Sequence, residues 1–515
     1  MDLWIAIRNF ILTALSIFAF YKTIYQYIGF FVKAKKFDPA PQTRKYGIVI
    51  AARNEELVIG NLVNSLYEQT YPRDKFQVFV VADNCDKNDR TAEIARECGA
   101  IVYERCCPEK ARKGWALEYL FENIEKDFGI QSYDGYLFFD ADNVVSRDYL
   151  ERMNEAFATG VDGVIGYRNS KNFEQNWISA HYSIHFMRSS YTLHRPRGRL
   201  NLCTHIAGTG YLLSSDMLKD GWHYYSLTED TQATMDFAVQ GKRIEYCEAA
   251  EFYDEQPYQI KVMLRQRLRW AKGRMACFFR YGAKLFYGLV RPFKVEKEQN
   301  KQPLKIFDYQ KGVYKTLSFR KKITFLIDRV MEFCSYVVDL FAIPFRQKGV
   351  YKTLSFREKI TFLIDCVMDF CSYVVDLFAI PFRYIAKNYT NYDMIFYLLP
   401  ISFIRRMLWI ASYIAGIFVL GDFLQDGVIS EIGKLAGILF GTGYIGSIGN
   451  GLLIVIREWK HIHCPNKLKL AFYLVTWPLH DMIYPFICLA SLFMHVTWKP
   501  IKHDVAKTLD DIHAN

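Results

Sequence analysis

The chain has 515 residues, a length that predicts more than one domain. Hydrophobic residues make up 51% and aromatic residues 16%, yet charged residues still reach 23%, which excludes an entirely membrane-embedded protein. The net charge of +11 is typical of a membrane protein whose Lys and Arg residues flank its spans. Nucleic-acid binding is not expected, because the sequence contains no basic helix or aromatic RNA-binding signature.

The cysteines indicate a reducing compartment rather than a disulfide framework, since none of the 12 forms a CxxC pair. His461, His463 and Cys464 cluster beside basic residues just after an apolar run. A structural zinc site requires four ligands, so this cluster is interpreted as an ordinary loop near the membrane.

The N-terminal region 1–36 is predicted to be a membrane anchor. Residues 3–32 are mostly apolar and exceed the ~20 residues that span a bilayer. No small-residue cleavage site follows, so a signal peptide is not expected. Three lysines between 33 and 36 place the next region in the cytoplasm.

Residues 45–290 read as a cytoplasmic α/β domain. Strands are predicted for YGIVIAA, FQVFVVAD, AIVYE and YLFFD, and helices for 89–98 and 111–126. Alternating strands and helices predict a mostly parallel, Rossmann-like sheet. Ligands bind at the carboxyl ends of such strands, where Glu55, Asp83 and Asp140 fall.

Residues 291–390 combine a basic linker with a tandem repeat, 310–346 and 347–383, whose two 37-residue copies differ at three positions. Apolar residues at helical spacing predict one amphipathic helix in each copy. Charges within the run favour a helix that lies in the membrane interface. A helix packed on the soluble domain is the alternative.

Residues 391–498 are predicted to form the C-terminal transmembrane helices, from apolar blocks at 394–424, 434–456 and 469–497. The first block is either an interfacial piece followed by a span or one helix kinked at Pro400. The side of the membrane that holds the tail, 499–515, stays open at this point.

Two strand ends carry candidate ligands for a nucleotide sugar. In FFDADN, Asp140 and Asp142 share one face of an extended chain and can point at one cation. Their hard oxygens suit Mg²⁺ or Mn²⁺; a solvated turn is the alternative. Asp83 in VADNCD can accept hydrogen bonds from a base or ribose, or the segment can serve as a helix cap.

Two further motifs provide a base and cations. Glu229 and Asp230 in LTED are adjacent acids, and a raised pKa suits a general base. Acids that stabilise the first turn of a helix are the alternative. Both explanations can hold, with Glu229 stabilising the helix and Asp230 acting as the base. In QRLRW, Arg269 can bind a departing diphosphate and Trp270 can face a sugar ring. A basic amphipathic helix is the alternative.

Together these motifs resemble those of the family-2 inverting glycosyltransferases. The resemblance is strongest to membrane processive β-glycan synthases, such as cellulose, hyaluronan, chitin and poly-N-acetylglucosamine synthases. It runs from Tyr46 to Trp270 and, more loosely, to WKPIKH at 498–503. It implies a GT-A-like α/β fold with transmembrane and interfacial helices. The tandem repeat departs from the family pattern.

The resemblance also implies roles for individual residues. Asp230 would be the catalytic base, with Glu229 beside it, and Arg269 would stabilise the leaving group. Asp142 would bind Mg²⁺ or Mn²⁺ more directly than Asp140. The nucleotide sugar and the acceptor would contact Ala51, Glu55, Asp83, Lys113, Asp140, Gly208, Thr209, Gly210, Gln266 and Trp270.

The implied enzyme is a hexosyl or N-acetylhexosaminyl transferase at the plasma membrane, multi-pass, with its catalytic domain in the cytoplasm. It would transfer sugar from a UDP-sugar donor to a growing β-linked glycan, and accessory membrane subunits are compatible with this function. Two alternatives stay open: single transfer to a lipid-linked acceptor, and a catalytically inactive membrane scaffold. The donor sugar does not follow from the sequence.

Overall fold

The computed structural model describes residues 2–290, 386–401 and 426–513, with scattered positions between 364 and 375 and between 403 and 408. The first copy of the repeat, 310–346, lies outside the described residues, as does most of the second copy.

Eight strands form one sheet. They are β1 (Tyr46–Ala52), β2 (Phe76–Asp83), β3 (Ile101–Arg105), β4 (Gly135–Asp140), β5 (Val144–Val145), β6 (Gly163–Ser170), β7 (Tyr211–Ser214) and β8 (Ile244–Asp254).

Fifteen helices of the described ranges matter here. They are α1 (Asp2–Ala19), α2 (Tyr21–Phe31), α3 (Ile59–Tyr67), α4 (Thr91–Glu97), α5 (Lys113–Asp127), α6 (Tyr149–Phe157), α7 (Trp177–Ser189), α8 (Arg195–Arg199), α9 (Glu229–Val239), α10 (Ile260–Val290), α11 (Ala386–Leu398), α12 (Asp426–Arg457), α13 (Lys467–Met482), α14 (Tyr484–Phe493) and α15 (Leu509–His513). A π-helical turn, Ser190–His194, joins α7 to α8.

The strand order is β3-β2-β1-β4-β7-β6-β8-β5. The first four strands are parallel, β7 runs antiparallel between β4 and β6, and β6 pairs with β8 in parallel. This order confirms the predicted mostly parallel sheet. Because β1, β2 and β4 run in the same direction, their carboxyl ends meet at one edge, where Ala51 pairs with Asp140.

Alternating side chains of the central strands fill two hydrophobic layers. Ile48 and Ile50 of β1 pack with α3 and α6, whereas Val49 packs with α5 on the opposite face. Such alternation is expected of a strand whose successive side chains point to opposite faces. Burial on both faces explains why the central strands read as continuous apolar runs.

One described helix is long and apolar enough to cross a membrane, Ala6–Phe31, which coincides with the predicted anchor. The described parts of the C-terminal apolar blocks contain no second helix that meets both criteria; the shorter apolar helix there is Gly443–Arg457. The block 469–497 divides at Ile483 into helices of 16 and 10 residues. Each is shorter than the ~20 residues of a crossing.

The C-terminal tail lies on the α/β domain. Leu509 and Ile512 of α15 pack in a buried cluster with Val144 and Tyr253. The Val505 carbonyl accepts a hydrogen bond from Lys171, 3.0 Å away. The tail and the α/β domain therefore lie on the same side of any membrane that the helices enter.

A buried ion pair joins three distant parts of the chain. Arg197 of α8 donates to both carboxylate oxygens of Asp393 in α11, at 2.7 and 3.2 Å. Tyr21 and Tyr25 of α2 also donate to Asp393, each at 3.0 Å. Nearby, Asn388 donates to the carbonyl of Gly288 at 3.0 Å, so α10 and α11 meet where the long connection between them begins and ends.

Deleting residues 347–383 is expected to leave the enzyme folded and active. In the second copy, Asp369 pairs with Lys33 at 2.8 Å and Ser372 accepts the Lys33 N–H at 2.9 Å. The first copy carries Glu332 and Ser335 at the equivalent positions, so it can replace these contacts. Cysteine labelling of the downstream loop should report unchanged sidedness, and UDP release should persist.

A reversal of that sidedness would contradict the expectation that the repeat lies in the interface, because it would mean that one copy crosses the bilayer.

Candidate active site

Lys113 connects the two halves of the site. It begins α5, and its ammonium forms an ion pair with Asp140 at the end of β4. The same nitrogen donates to the Gly208 carbonyl at 2.8 Å. Lys113 is expected to contact the nucleotide. It therefore contacts both Asp140, the first carboxylate of the DxD segment (140–142), and the loop 208–210, which is expected to contact the acceptor (the acceptor loop).

Thr209 anchors that loop to the DxD segment. Its hydroxyl accepts the Asp140 N–H at 2.9 Å and donates to the Asn143 side chain. Gly208 and Gly210 flank it with φ values of +81° and +67°, in the left-handed region that glycine tolerates. At Gly210 a Cβ would lie 2.1 Å from the ring of Phe252, so the loop requires glycine here for two reasons.

Asp142 is 4% exposed and lies among positive charges. One carboxylate oxygen accepts the Glu255 N–H at 2.9 Å. Although burial opposes ionisation, the charges of His503 and Lys171 and this N–H lower the pKa of Asp142 below its usual range. Asp142 is thus ionised at neutral pH, as a metal ligand must be.

His503 of the C-terminal tail enters this acidic cluster. Its Nδ1 lies 2.9 Å and 3.0 Å from the two oxygens of Glu55. Against the effect of burial, the carboxylates of Asp142, Glu55 and Glu255 raise the pKa of His503 to about 10. The imidazole is therefore a cation at neutral pH, and Glu55, a predicted nucleotide contact, is its partner.

The acids of LTED lie at the other side of the site, in the first turn of α9. Burial raises the pKa of Asp230, while the Thr231 N–H, Arg269 and Lys113 oppose the rise. Burial and the Asp230 charge raise the pKa of Glu229 to about 7. A Cβ built on Gly208 would lie 3.7 Å from Asp230 Oδ2, so the predicted base adjoins the predicted acceptor loop.

The QRLRW motif lies on α10 and contacts the LTED segment. Arg269 donates to the Leu227 carbonyl at 2.7 Å. Trp270 packs against Tyr182 and Phe186, with ring centroids 5.8 Å and 6.3 Å away. The buried side-chain oxygen of Gln266, Oε1, has no hydrogen-bond partner among the residues that the structure describes, which leaves it available to a ligand.

Asp83 ends β2, one strand from β1, and forms an ion pair with Arg105. Arg105 also donates to the Lys110 carbonyl at 3.2 Å. The predicted contact between Asp83 and a base therefore stays a prediction, since the carboxylate already has a strong partner.

Sequence reasoning missed several charged residues of the site. Arg168 of β6 pairs with Asp254 at the end of β8, and Lys171 and His503 face Asp142. No motif marks these residues, and His503 is 361 positions away from Asp142 in the sequence. The one signal for His503 in the sequence is WKPIKH, which resembles the family loosely and predicts no role for the histidine.

Comparison with known proteins identifies the domain. The family model "Glycosyltransferase like family 2" matches residues 41–273. A probable glycosyltransferase of Bacillus subtilis, YdaM, is 26% identical over 253 residues, which cover 47% of this chain and 58% of that protein. A beta-monoglucosyldiacylglycerol synthase of Synechocystis is 25% identical over 235 residues, covering 44% of this chain and 47% of that protein.

Among solved structures, the mannosyltransferase PcManGT of Pyrobaculum calidifontis, in complex with GDP-Man and Mn²⁺, covers 72% of this chain and 99% of that chain, at 16% identity and a TM-score of 0.40. The chain spans about half the length of the curated relatives that it matches.

Residues 41–273 are thus similar to the glycosyltransferases of family 2. The family match and the names of these relatives agree with the enzyme class expected from the motifs, a glycosyltransferase.

Substituting Gly210 by Ala is expected to lower the melting temperature more than substituting Gly221. Both glycines have positive φ, +67° and +83°, so each alanine costs about 1–2 kcal/mol of backbone strain. At Gly221 the nearest atom to a new Cβ is 3.9 Å away. Only the Gly210 variant adds overlap with Phe252. Equal melting temperatures in thermal unfolding of the detergent-purified protein would contradict this account.

Proposed function

We propose that the protein transfers a sugar from a UDP-sugar to a growing β-linked glycan, inverting the anomeric centre. The carrying observation is the placement of Lys113, which contacts Asp140 and the Gly208 carbonyl while Asp230 adjoins Gly208. The predicted diphosphate site, acceptor loop and base therefore adjoin one another.

In the proposed reaction an acceptor hydroxyl attacks the anomeric carbon of the donor. Asp230 takes the proton of that hydroxyl as the new C–O bond forms. The bond between the anomeric carbon and the β-phosphate oxygen breaks, and its electron pair leaves with UDP. Arg269 and Lys113 face the developing negative charge of the diphosphate, which favours the transition state electrostatically.

A divalent cation fits the residues present. Three further carboxylates accompany the two of the DxD segment, and four cations oppose these five acids. The carboxylates are Glu55, Asp140, Asp142, Asp254 and Glu255; the cations are Lys113, Arg168, Lys171 and His503.

No group of three or more metal-ligating side chains occurs in the part of the chain that the structure describes. Mg²⁺ is commonly bound by one or two carboxylates together with substrate phosphates, and carboxylate oxygens also suit Mn²⁺. Asp142, with Asp140 beside it, would hold the ion, which neutralises the leaving diphosphate when bound.

The remaining predicted residues would position the two substrates. Ala51, Glu55 and Asp83 lie at the carboxyl ends of β1 and β2, on the side expected for the nucleotide. Gln266 presents an unpartnered buried oxygen. Trp270 would offer a flat face to the acceptor sugar.

We place the enzyme at the cytoplasmic face of the cell membrane, anchored by Ala6–Phe31. Large apolar side chains on the outer faces of α13 and α14 support further membrane contact, since Leu468, Phe486 and Phe493 are 83%, 70% and 82% exposed. A multi-pass arrangement and accessory membrane subunits belong to this proposal.

Single transfer to a lipid-linked acceptor is the second candidate. It is favoured by the Synechocystis relative, whose name describes the synthesis of a glucosyl lipid. Both candidates use the same donor site. They differ in product length, which an electrophoretic gel resolves.

The proposal is tested with washed membranes and radiolabelled UDP-glucose, UDP-N-acetylglucosamine and UDP-glucuronate. One donor should give labelled product with stoichiometric UDP release, and a ladder of lengths would favour the glycan acceptor. Excess EDTA should abolish transfer, and Mg²⁺ or Mn²⁺ should restore it. Asp142→Asn should be inactive yet folded, whereas Asp236→Asn, on α9, should remain active. Full activity in excess EDTA would refute the metal site.

Asp230→Asn should lower kcat by roughly 100-fold or more, the scale of general-base loss, without changing UDP affinity. In the wild type, kcat/KM should fall as the pH drops through the pKa of the acid pair. That pKa lies above the ordinary aspartate value because burial raises it, so activity is present above it and lost below it. Normal turnover in the variant would reduce Asp230 to a helix-terminal acid.

A further inference from the structure

A cavity of about 500 Å³, separate from the candidate active site, lies between the N-terminal helix and the helices that follow the α/β domain. α2, α7, α10, α11, α12 and α14 all contribute to its wall. None of the residues assigned above to the nucleotide site lines it.

The wall contains four cations and two carboxylates. Arg188 binds both oxygens of Asp481, at 2.5 and 2.9 Å. Asp393 is saturated by the Arg197 guanidinium and two tyrosine hydroxyls. Both carboxylates are therefore neutralised within the wall, and two cations remain.

The two remaining cations are Lys22 and Arg274. The Lys22 ammonium donates to one group, the Phe396 carbonyl, at 3.1 Å. The Arg274 guanidinium lies 5.2 Å from the centre of the Tyr484 ring. Neither has an ion-pair partner in the described part of the chain. Burial and the nearby Arg188 lower the pKa of His185, so this residue adds no charge.

Other polar atoms of the wall also lack partners among the described residues. They are Arg197 Nη1, Ser447 Oγ and Asn450 Oδ1. A buried polar group without a partner is unfavourable by about 1–3 kcal/mol. Arg197 Nη1 and Ser447 Oγ can donate hydrogen bonds, whereas Asn450 Oδ1 can only accept them. Two surplus cations and two unpaired donors are complementary to an oxyanion that accepts several hydrogen bonds.

The surroundings of the cavity are apolar. Leu399, Pro400 and Ile401 lie at its border. On α2, which belongs to the one helix of membrane-spanning length in the described ranges, Ile24 and Tyr27 are 47% and 64% exposed on the outer face. These apolar surfaces favour an anion that carries acyl chains, because the chains are stabilised by contact with them and a free anion is not.

We propose that this cavity binds the phosphate of an anionic membrane lipid, with Lys22 and Arg274 as its counter-charges. Its wall also connects to the catalytic base. Tyr397 lies 3.1 Å from His205 Nε2, which lies 3.4 Å from the Thr231 hydroxyl, next to Asp230. A bound lipid therefore lies beside the acceptor side of the active site. The inference needs no residue of the proposed donor site.

The test uses the full-length protein, purified in neutral detergent, with dioleoyl phosphatidic acid as the probe in native mass spectrometry. Dioleoylglycerol has the same tails without the phosphate, and inorganic phosphate has the anion without the tails. Lys22→Gln and Arg274→Gln should each weaken phosphatidic acid binding by about 10-fold, the scale of a lost hydrogen bond to a charged group. Arg274→Lys keeps the charge and should retain most of the affinity.

Arg280→Gln is the matched control, because Arg280 lies on the same helix with an exposed side chain outside the cavity. It should bind phosphatidic acid as the wild type does. Equal weakening in Arg280→Gln would indicate general surface charge and overturn the proposal. Equally tight binding of dioleoylglycerol would overturn phosphate recognition, and inorganic phosphate binding as tightly as phosphatidic acid would overturn the lipid as its source.

UDP affinity and UDP release are measured on the same samples. If the wild type releases UDP but does not bind phosphatidic acid, the cavity proposal alone is refuted. If the wild type binds phosphatidic acid but releases no UDP, the transferase proposal alone is refuted. If a variant unfolds, the wild-type comparison of phosphatidic acid with dioleoylglycerol still decides whether the phosphate is recognised.

Discussion

The site depends on balancing the carboxylates that parallel strands bring to one edge of the sheet. Two unit charges 4 Å apart interact by about 4 kcal/mol at an effective dielectric constant near 20, so unbalanced acids would expel one another from a buried site. Lys113 comes from α5, Arg168 from β6 and His503 from the tail. The candidate site is therefore assembled from segments far apart in sequence.

This dependence explains why the tail is part of the domain. His503 lies between Glu55 and the charge of Asp142, and the two oxygens of Glu255 accept the N–H groups of Asp504 and Val505 at 3.2 and 2.9 Å. Losing the tail would leave several buried acids without their counter-charge. Acids in that state take up protons, and a protonated Asp142 is a poor cation ligand.

Much of the fold followed from the sequence, because it rests on local signals. The strands YGIVIAA, FQVFVVAD and YLFFD are continuous apolar runs, two of which end in an acid, and the structure places them in adjacent parallel positions. Such features repeat in many proteins and need no knowledge of distant contacts.

The rest required long-range pairing that no local pattern encodes. Asp83 pairs with Arg105, and Glu55 pairs with His503. From the sequence alone, each acid looks like an unpaired ligand. The block 469–497 looks continuous in hydropathy, yet it breaks at Ile483 just before Pro485. Proline lacks the N–H that a continuous helix needs, so composition alone overestimated the length of this helix.

The bond between Asn388 and the Gly288 carbonyl has a further consequence for how this chain can evolve. It joins α10 and α11, the two helices that flank a long connection. The bonded residues are 100 positions apart in the sequence, so a change in the length of the segment between them leaves both partners in place. A duplication such as that of the 37-residue copy can therefore arise without breaking this contact between α10 and α11. The same position is a natural entry point for an inserted reporter domain.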